Sequence, residues 1–255
     1  MYKLSLYALG LLIAGGAFAN TENCLTTAYP DITAVKNGTI SFKNGSTVPL
    51  GQVSSAPFVQ RLKNASVADQ LSQVYPLTFT APKQYEDAGR LRDDRFFKAL
   101  YGNTKAQVEQ NLVSVTWKPN NTKIRFNKQN NASAQLQKVG DEIAQKPALT
   151  KYVSKSLGSM NWRVIAGTNR LSSHSFGVAV DFQLPKAQHQ YWRWSGCTSE
   201  DKACPYPSAL LADKQLIEVV KIFEKHGFIW GGKWASYDSP HFEYRPELLI
   251  KECRS

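Results

Sequence analysis

Apolar side chains recur at helical spacing in several segments of the chain. Residues 93–101 and 134–144 show this pattern. The clearest case follows Pro207-Ser208, where an apolar stripe runs along the segment and Gly227 supplies a C-terminal stop. The stripe consists of Leu216, Val219, Val220 and Phe223. Each of these segments is predicted to be a helix that buries one face.

Shorter apolar runs predict strands. Residues 112–117 form one such run, and three more frame the last predicted helix, at residues 162–166, 178–182 and 242–244. Helices and strands do not alternate regularly, as they would in a sheet of parallel strands. We therefore predict the α+β class, with a small antiparallel sheet flanked by helices.

The N-terminal part of the chain has a different character. Residues 20–85 are rich in Asn, Thr, Ser and Gly, and Asn37-Gly38 and Asn44-Gly45 flank the short alternating run 39–42. Asn-Gly pairs beside alternating residues are hairpin signals. We predict a small β-rich or irregular lobe over residues 20–85 and a second domain over residues 86–255.

The first nineteen residues match a secretory signal peptide. A short basic start leads into the apolar stretch 4–14 and then into Ala17-Phe18-Ala19, a small-x-small cleavage pattern. The apolar stretch is shorter than the ~20 residues that a membrane span requires. We expect cleavage after Ala19, a periplasmic or extracellular protein and no transmembrane segment; the oligomeric state is open.

The four cysteines fit an oxidising compartment and permit three disulfide pairings. We favour Cys197 with Cys204, which closes a polar loop, and Cys24 with Cys253, which ties the chain ends together. A cysteine metal site is the alternative. It is disfavoured because no close C-x-x-C pair occurs.

The chain is strongly basic, with 31 Lys and Arg against 20 Asp and Glu. This balance favours anionic partners such as nucleic acid, phosphate-rich envelope polymers or carboxylate-bearing wall peptides. The basic residues are scattered and form no dense run. We therefore expect a basic surface and no nucleic-acid partner.

Candidate chemistry begins in residues 172–181. If residues 178–182 form a strand, alternation leaves Asp181 beside the small Ala179, with room for an ion. His174 precedes Gly177, whose freedom in φ lets the chain turn so that imidazole and carboxylate can converge.

A third metal ligand is available at His241. Catalytic zinc is commonly bound by three His or carboxylate groups, with water in the fourth position, and a general base must handle the proton of that water. We predict zinc ligands at His174, Asp181 and His241, with Asp238 as the base.

Each residue also has a simpler interpretation. Asp238 can initiate a turn before Pro240, and Glu243 can be only an ion-pair partner. His189 and His226 are expected to be ordinary polar residues, and His226 lies where an imidazole can cap a helix end.

The two motifs resemble those of a known zinc peptidase family. They read Ser172-x-His174-x-x-Gly177-x-Ala179-x-Asp181 and Asp238-x-x-His241-Phe242-Glu243. The family contains D-alanyl-D-alanine carboxypeptidases, vancomycin-resistance dipeptidases and L-alanyl-D-glutamate phage endolysins, described as M15-type peptidases. Resemblance also covers residues 89–92, 162–168 and 228–234.

This resemblance implies a zinc peptidase fold of the kind shared with the hedgehog signalling domain, and hydrolysis of peptide bonds in peptidoglycan stem peptides. It assigns the metal to His174, Asp181 and His241. The dipeptidase branch has Glu where this chain has Asp238, whereas the endolysin-like branch has Asp. The implied activity is therefore an L-Ala-D-Glu endopeptidase or a related D-Ala-D-Ala type carboxypeptidase.

The family also uses an arginine upstream of the first His to stabilise the oxyanion. Arg170 and Arg163 are the candidates, and Arg170 matches the Gly-x-Arg position better. Ser172 is expected to position the ligand loop and not to act as a nucleophile.

The sequence leaves open an alternative function and the location of two aromatic groups. A non-catalytic zinc module that binds wall material or another protein is the alternative function, although Asp238 beside a complete ligand set counts against it. Two aromatic groups line a substrate groove or belong to the core. They are Tyr191, Trp192 and Trp194, and Trp230, Trp234 and Tyr237.

Overall fold

The computed structural model describes residues 12–166, 168–199 and 202–254, with side chains from residue 20 onward. Residues 1–11 of the predicted signal peptide lie outside the described residues. The helices are α1 (Leu12–Ala28), α2 (Phe58–Arg61), α3 (Val67–Leu71), α4 (Asp94–Tyr101), α5 (Lys105–Gln110), α6 (Ala132–Ala144), α7 (Ala209–Ala212) and α8 (Lys214–Lys225). Short 3-10 helices are Gln129–Asn131, Pro147–Tyr152, Ser173–Phe176, Trp192–Ser195, Gly231–Lys233, Pro246–Leu248 and Lys251–Cys253.

Small antiparallel sheets complete the fold, which confirms the α+β class. The strands are β1 (Ile32–Lys36), β2 (Thr39–Phe42), β3 (Thr47–Pro49), β4 (Leu112–Trp117), β5 (Thr122–Asn127), β6 (Ser156–Gly158), β7 (Ala179–Phe182), β8 (Phe228–Trp230) and β9 (His241–Tyr244). In the described part of the chain they pair in the orders β1-β2-β3, β4-β5 and β6-β7-β9-β8. The four-stranded sheet positions the candidate site.

The helical predictions are confirmed, with one refinement. All four residues of the predicted stripe are fully buried in α8. The segment after Pro207-Ser208 forms two helices because Asp213 leaves helical geometry and caps α8, accepting hydrogen bonds from Gln215 N and Leu216 N. Gly227, at φ 87°, follows the end of α8 as expected.

The predicted strand at residues 162–166 is wrong. Only Val164 pairs, in an isolated bridge to Leu171, because the chain reverses at once and Ile165 N donates to Arg170 O at 2.8 Å. The other two predictions around the last helix correspond to β7 and β9. The three-residue strands β6 and β8 were not predicted.

The N-terminal region combines the expected hairpin with an unexpected helix. Asn37 and Gly38 both have positive φ, as a two-residue hairpin turn requires, and they connect β1 to β2. Residues 20–28 continue α1 instead of forming irregular structure. The rings of Tyr29 and Phe42 pack against Phe96 of α4, so the region shares the main hydrophobic core. The domain boundary at residue 85 stays a prediction.

Both favoured disulfides are confirmed. Cys24 of α1 pairs with Cys253, and Cys197 pairs with Cys204. No helix in the described residues is both long and apolar enough to cross a membrane.

Replacing Cys24 and Cys253 together by serine is expected to lower the free energy of unfolding more than the same change at Cys197 and Cys204. The bridges close loops with sequence separations of 229 and 7 residues. The chain-entropy model gives losses of about 5 and about 2.5 kcal/mol. Urea unfolding of both double variants measures the difference, and equal losses would contradict it.

Candidate metal centre

Two neighbouring strands bring an acid and a histidine side by side. β7 and β9 pair antiparallel, and the register places Asp181 directly opposite His241. His174 lies on the 3-10 helix that precedes β7, and its backbone N–H donates to the Ser172 side chain. Gly177 ends this short helix at φ 65° and turns the chain into β7, as its position in the motif predicted.

The structure brings the three predicted ligand side chains together. His174 Nε2 lies 3.2 Å from His241 Nδ1 and 3.2 Å from Asp181 Oδ1. His241 Nδ1 lies 3.0 Å from the same carboxylate oxygen. The three atoms thus form a nearly equilateral triangle, close enough to share one ion.

This triangle fits zinc. Zinc bonds of about 2.0–2.1 Å in tetrahedral geometry require donor atoms roughly 3.3 Å apart, within a few tenths of an ångström of the observed separations. Two imidazoles and one carboxylate are also a common donor set of catalytic zinc, which leaves a fourth position open.

Each imidazole forms a hydrogen bond through its other ring nitrogen, and this bond indicates which nitrogen carries the proton. His174 Nδ1 lies 3.2 Å from Ser159 O, which can only accept, so Nδ1 donates and Nε2 presents its lone pair. His241 Nε2 lies 3.1 Å from Glu243 Oε2, which likewise leaves Nδ1 as the lone-pair atom. With both imidazoles neutral, three acceptors face one another, an arrangement that a shared cation stabilises, whether a metal ion or a proton.

The pKa shifts in the cluster have the same origin. Burial lowers the pKa of His241, but hydrogen bonds to Asp181 and Glu243 outweigh it and raise the value to about 10. Burial raises the pKa of Asp181, but hydrogen bonds from His174 and His241 hold it well below its usual range. The cluster therefore attracts a cation strongly, and a bound metal takes the place of a proton.

A buried ion-pair network supports His241 from behind. Glu243 accepts from Arg245 Nη1 at 3.0 Å, and Arg245 Nε donates to Glu247 at 2.7 Å. Glu247 in turn accepts from Tyr29 OH at 2.5 Å and from Gln70 Nε2 at 3.0 Å. The N-terminal region thus contributes to the support of the candidate metal centre.

Glu243 therefore does more than form an ion pair, which was its simpler interpretation. Burial raises its pKa, but the His241 hydrogen bond and the Arg245 and Arg92 charges hold the value well below its usual range. An ionised carboxylate that orients a metal-binding histidine is a common feature of zinc sites. The alternation His241, Glu243, Arg245, Glu247 is the sequence signal for this network.

Changing Glu243 to glutamine is expected to weaken zinc binding about 10- to 100-fold, because the amide orients His241 less strongly and removes the negative charge behind it. Competition with a chromophoric chelator measures this affinity. Glu109→Gln is the matched control, since Glu109 is exposed and pairs only with Lys105 among the ion pairs of the described residues. Equal affinity in both variants would contradict the assigned role of Glu243.

Asp238 lies in the same cleft as the three ligand side chains. Its backbone N–H donates to Gly231 O at 2.9 Å, its carbonyl accepts from His241 N, and it forms a bridge with Tyr191. Burial raises the pKa of its carboxyl group to about 6, and the nearby Asp181 charge adds to this effect. A carboxylate that titrates near neutral pH is well suited to exchange protons.

A Gly231→Ala substitution is expected to lower hydrolysis up to about 10²-fold with the metal still bound, since displacement of a catalytic group by about 1 Å has effects of that size. An added Cβ would lie 2.5 Å from Asp238 O and would push this backbone away. Steady-state kinetics and metal analysis test the prediction together. Gly38→Ala is the control, because its Cβ meets nothing within 4 Å and the strain of its positive φ is confined to the β1–β2 turn, outside the cleft. Equal activity of the two variants would refute the prediction.

Four arginines line the cleft. Arg170 is buried and donates through Nη1 to Arg90 O at 2.8 Å, whereas Arg163 is exposed. Both predicted oxyanion candidates are therefore at the site. Arg90 and Arg92 also line it, and neither was predicted to do so. Ion pairs of Arg90 with Asp87 and of Arg92 with Asp94 and Glu243 offset part of this positive charge, and Asp181 and Asp238 also line the cleft.

The aromatic residues divide between core and cleft. Trp230 and Tyr237 are buried, and Trp230 Nε1 donates to Ser239 O. Tyr191, Trp192 and Trp234 line the cleft. Trp194 belongs to neither the core nor the cleft lining, and its side chain is 65% exposed. His226 caps α8 and hydrogen-bonds to Glu142, and His189 contacts the Trp194 ring, so neither contributes to the metal cluster.

Comparison with known proteins agrees with the geometry. Residues 166–244 match the family model described as D-alanyl-D-alanine carboxypeptidase. Searches of curated proteins and of solved structures gave no significant match. The matched segment contains the triangle of His174, Asp181 and His241 together with Asp238 and Arg170. The match to this family over residues 166–244 supports the resemblance to M15-type peptidases that the motifs predicted.

Proposed function

We propose that this protein is an exported zinc-dependent peptidase that hydrolyses peptide bonds in peptidoglycan stem peptides. The observation that carries the proposal is the set of three acceptor atoms, 3.0–3.2 Å apart, that shares a cleft with Asp238. A purely structural zinc site is normally closed by four protein ligands, whereas this cluster offers three. The open side of the cluster therefore suits catalysis.

His174, Asp181 and His241 would hold the zinc ion. When bound, zinc supplies the Lewis acidity that activates a water molecule and polarises the scissile carbonyl. Asp238 accepts the proton of the attacking water and delivers it to the leaving amine. Arg170 donates hydrogen bonds to the carbonyl oxygen as negative charge develops there, and its contact with Arg90 O holds the guanidinium in place.

The exposed guanidinium group of Arg163 at the cleft supports a substrate with a carboxylate close to the scissile bond. Both candidate bonds meet this requirement. In D-Ala-D-Ala the leaving residue carries the C-terminal carboxylate. In L-Ala-D-Glu of wall peptides, Glu continues the chain through its side chain, so its α-carboxylate is free beside the scissile amide. Guanidinium groups bind such carboxylates well.

The proposal is tested by incubating the purified mature chain with intact peptidoglycan and with defined muropeptides, with and without a chelator. We expect fragments that form only in the presence of metal, identified by mass spectrometry. An L-Ala-D-Glu endopeptidase releases peptides that begin with D-Glu, and a carboxypeptidase removes one terminal D-Ala. If no fragment depends on metal, the enzymatic proposal fails and a non-catalytic zinc module becomes the better account.

A further inference from the structure

An exposed aromatic surface adjoins the cleft and is not used by the proposed chemistry. Trp194 is 65% exposed, and its ring lies 5.4 Å from that of His189 and 5.5 Å from that of Tyr191. We call these three rings the aromatic platform. Tyr191 also lines the cleft and pairs with Asp238, so the platform is continuous with the candidate active site.

The backbone holds the platform firmly in position. Trp194 lies on the 3-10 helix Trp192–Ser195, and its N–H donates to Tyr191 O at 2.9 Å. Trp192 N donates to Tyr237 O at 2.9 Å, and Tyr237 OH donates to Ser195 Oγ at 2.7 Å. The Cys197–Cys204 disulfide follows directly. These bonds fix the backbone of the platform, and the ring contacts with His189 and Tyr191 restrict the exposed Trp194 indole.

The platform is small and has polar surroundings. Gln188 and Gln190 flank His189 and are half-buried, while Arg193 and Ser195 on either side of Trp194 are exposed. One exposed indole with two partly buried rings is far less than the ~800 Å² per partner of a typical protein interface. A ligand that fits has one apolar face of about the size of an indole and a rim of hydrogen-bonding groups.

A pyranose ring has this chemistry, because its C–H face packs on an aromatic ring while its hydroxyl and amide groups project from the rim. The imidazole of His189 adds a polar contact. Its Nδ1 accepts from Leu184 N at 3.3 Å, which leaves Nε2–H as a donor for a hydroxyl group. Burial lowers the pKa of His189, which favours the neutral ring.

We propose that the aromatic platform of His189, Tyr191 and Trp194 binds a sugar ring of the glycan to which the scissile stem peptide is attached. This inference rests on the proposed function for the identity of the substrate. It favours a scissile bond near the sugar, and therefore L-Ala-D-Glu, over the D-Ala-D-Ala bond at the far end of the peptide.

The binding test uses the peptide-free disaccharide of N-acetylglucosamine and N-acetylmuramic acid. The indole N–H signal of Trp194, identified in NMR spectra by its loss in Trp194→Phe, is expected to shift and saturate during titration. The buried indoles of Trp117 and Trp230, which donate to Val153 O and Ser239 O, serve as internal controls. A Trp194 signal that does not move at high disaccharide concentration overturns the proposal.

The kinetic test compares a muropeptide that keeps its sugars with the same stem peptide without sugars. Trp194→Ala is expected to raise KM roughly two- to tenfold more for the sugar-bearing substrate, which corresponds to one aromatic contact. Val74→Ala, at another highly exposed position, is the control. An equal effect on both substrates overturns the saccharide site.

The two proposals fail in different ways. Disaccharide binding at Trp194 without hydrolysis of any wall peptide rejects the peptidase function and keeps the saccharide site. Metal-dependent hydrolysis without a Trp194 shift rejects the saccharide site and keeps the peptidase function.

Discussion

Asp238→Asn is expected to lower the hydrolysis of wall peptides by about 10²–10⁴-fold, the usual contribution of a general acid–base group. Asparagine has nearly the same shape as aspartate but accepts no proton from the attacking water. Because the three metal-binding side chains stay intact, zinc content should equal that of the unchanged protein. Steady-state kinetics and metal analysis of the same preparation measure both quantities.

Asp141→Asn is the matched control for this variant. Asp141 pairs with Lys118 at the surface and lies outside the cleft. Its substitution should leave activity within about twofold, as expected of a solvent-exposed pair. If Asp238→Asn cleaves wall peptides at the normal rate, the base lies elsewhere. If it loses its zinc, the role of Asp238 is structural.

Arg245→Met is expected to lower the free energy of unfolding by about 3–5 kcal/mol, since removing one partner leaves buried charges uncompensated. Arg245 is fully buried between Glu243 and Glu247 and also donates to Gly89 O at 2.7 Å. These carboxylates hold the pKa of Arg245 above its usual range although burial lowers it. Urea unfolding with circular dichroism detection measures the loss.

Lys105→Met provides the comparison for an exposed ion pair. Lys105 and Glu109 lie 3.8 Å apart on α5 with side chains 60% and 42% exposed. This change should cost less than about 1 kcal/mol. If Arg245→Met costs no more than Lys105→Met, the network behind His241 does not stabilise the fold as described.

Local patterns in the sequence account for the elements around the candidate site. The apolar stripe of α8, the alternation in β7 and the turn at Gly177 all depend on residues within a few positions of one another. Residues 162–166 show where a local sequence pattern fails to predict the structure. Their composition suits a strand, but the chain reverses before a second strand can pair with more than Val164.

Contacts between distant segments could not be predicted in this way. Asp181 and His241 are 60 residues apart, and only the register of β7 against β9 places them opposite each other. The resemblance of the two motifs to the peptidase family, and not the hydrophobic periodicity, indicated that Asp181 and His241 lie together. Arg90 lines the cleft, and its backbone oxygen accepts from Arg170, 80 residues away in the chain. The motif resemblance covers residues 89–92 but assigns Arg90 no place in the site.

The support of His241 is an intermediate case. The alternation of His241, Glu243, Arg245 and Glu247 is visible in the sequence, but alternating charges equally fit a solvent-exposed strand. Burial of these charged side chains distinguishes a buried network from a solvent-exposed strand. That burial involves Tyr29 and Gln70 of the N-terminal region, which hydrogen-bond to Glu247. A short charged run can therefore conceal a buried network when its partners are far away in the chain.

We propose that His174, Asp181 and His241 bind one zinc ion together. The most direct measurement is the zinc content of the purified protein after dialysis, determined by mass spectrometry for the unchanged chain, His174→Ala, His241→Ala and Asp238→Asn. We expect one zinc ion per chain in the unchanged protein and in Asp238→Asn, and almost none in the two histidine variants. Equal zinc in all four proteins, or none in the unchanged chain after incubation with zinc, would contradict the proposal.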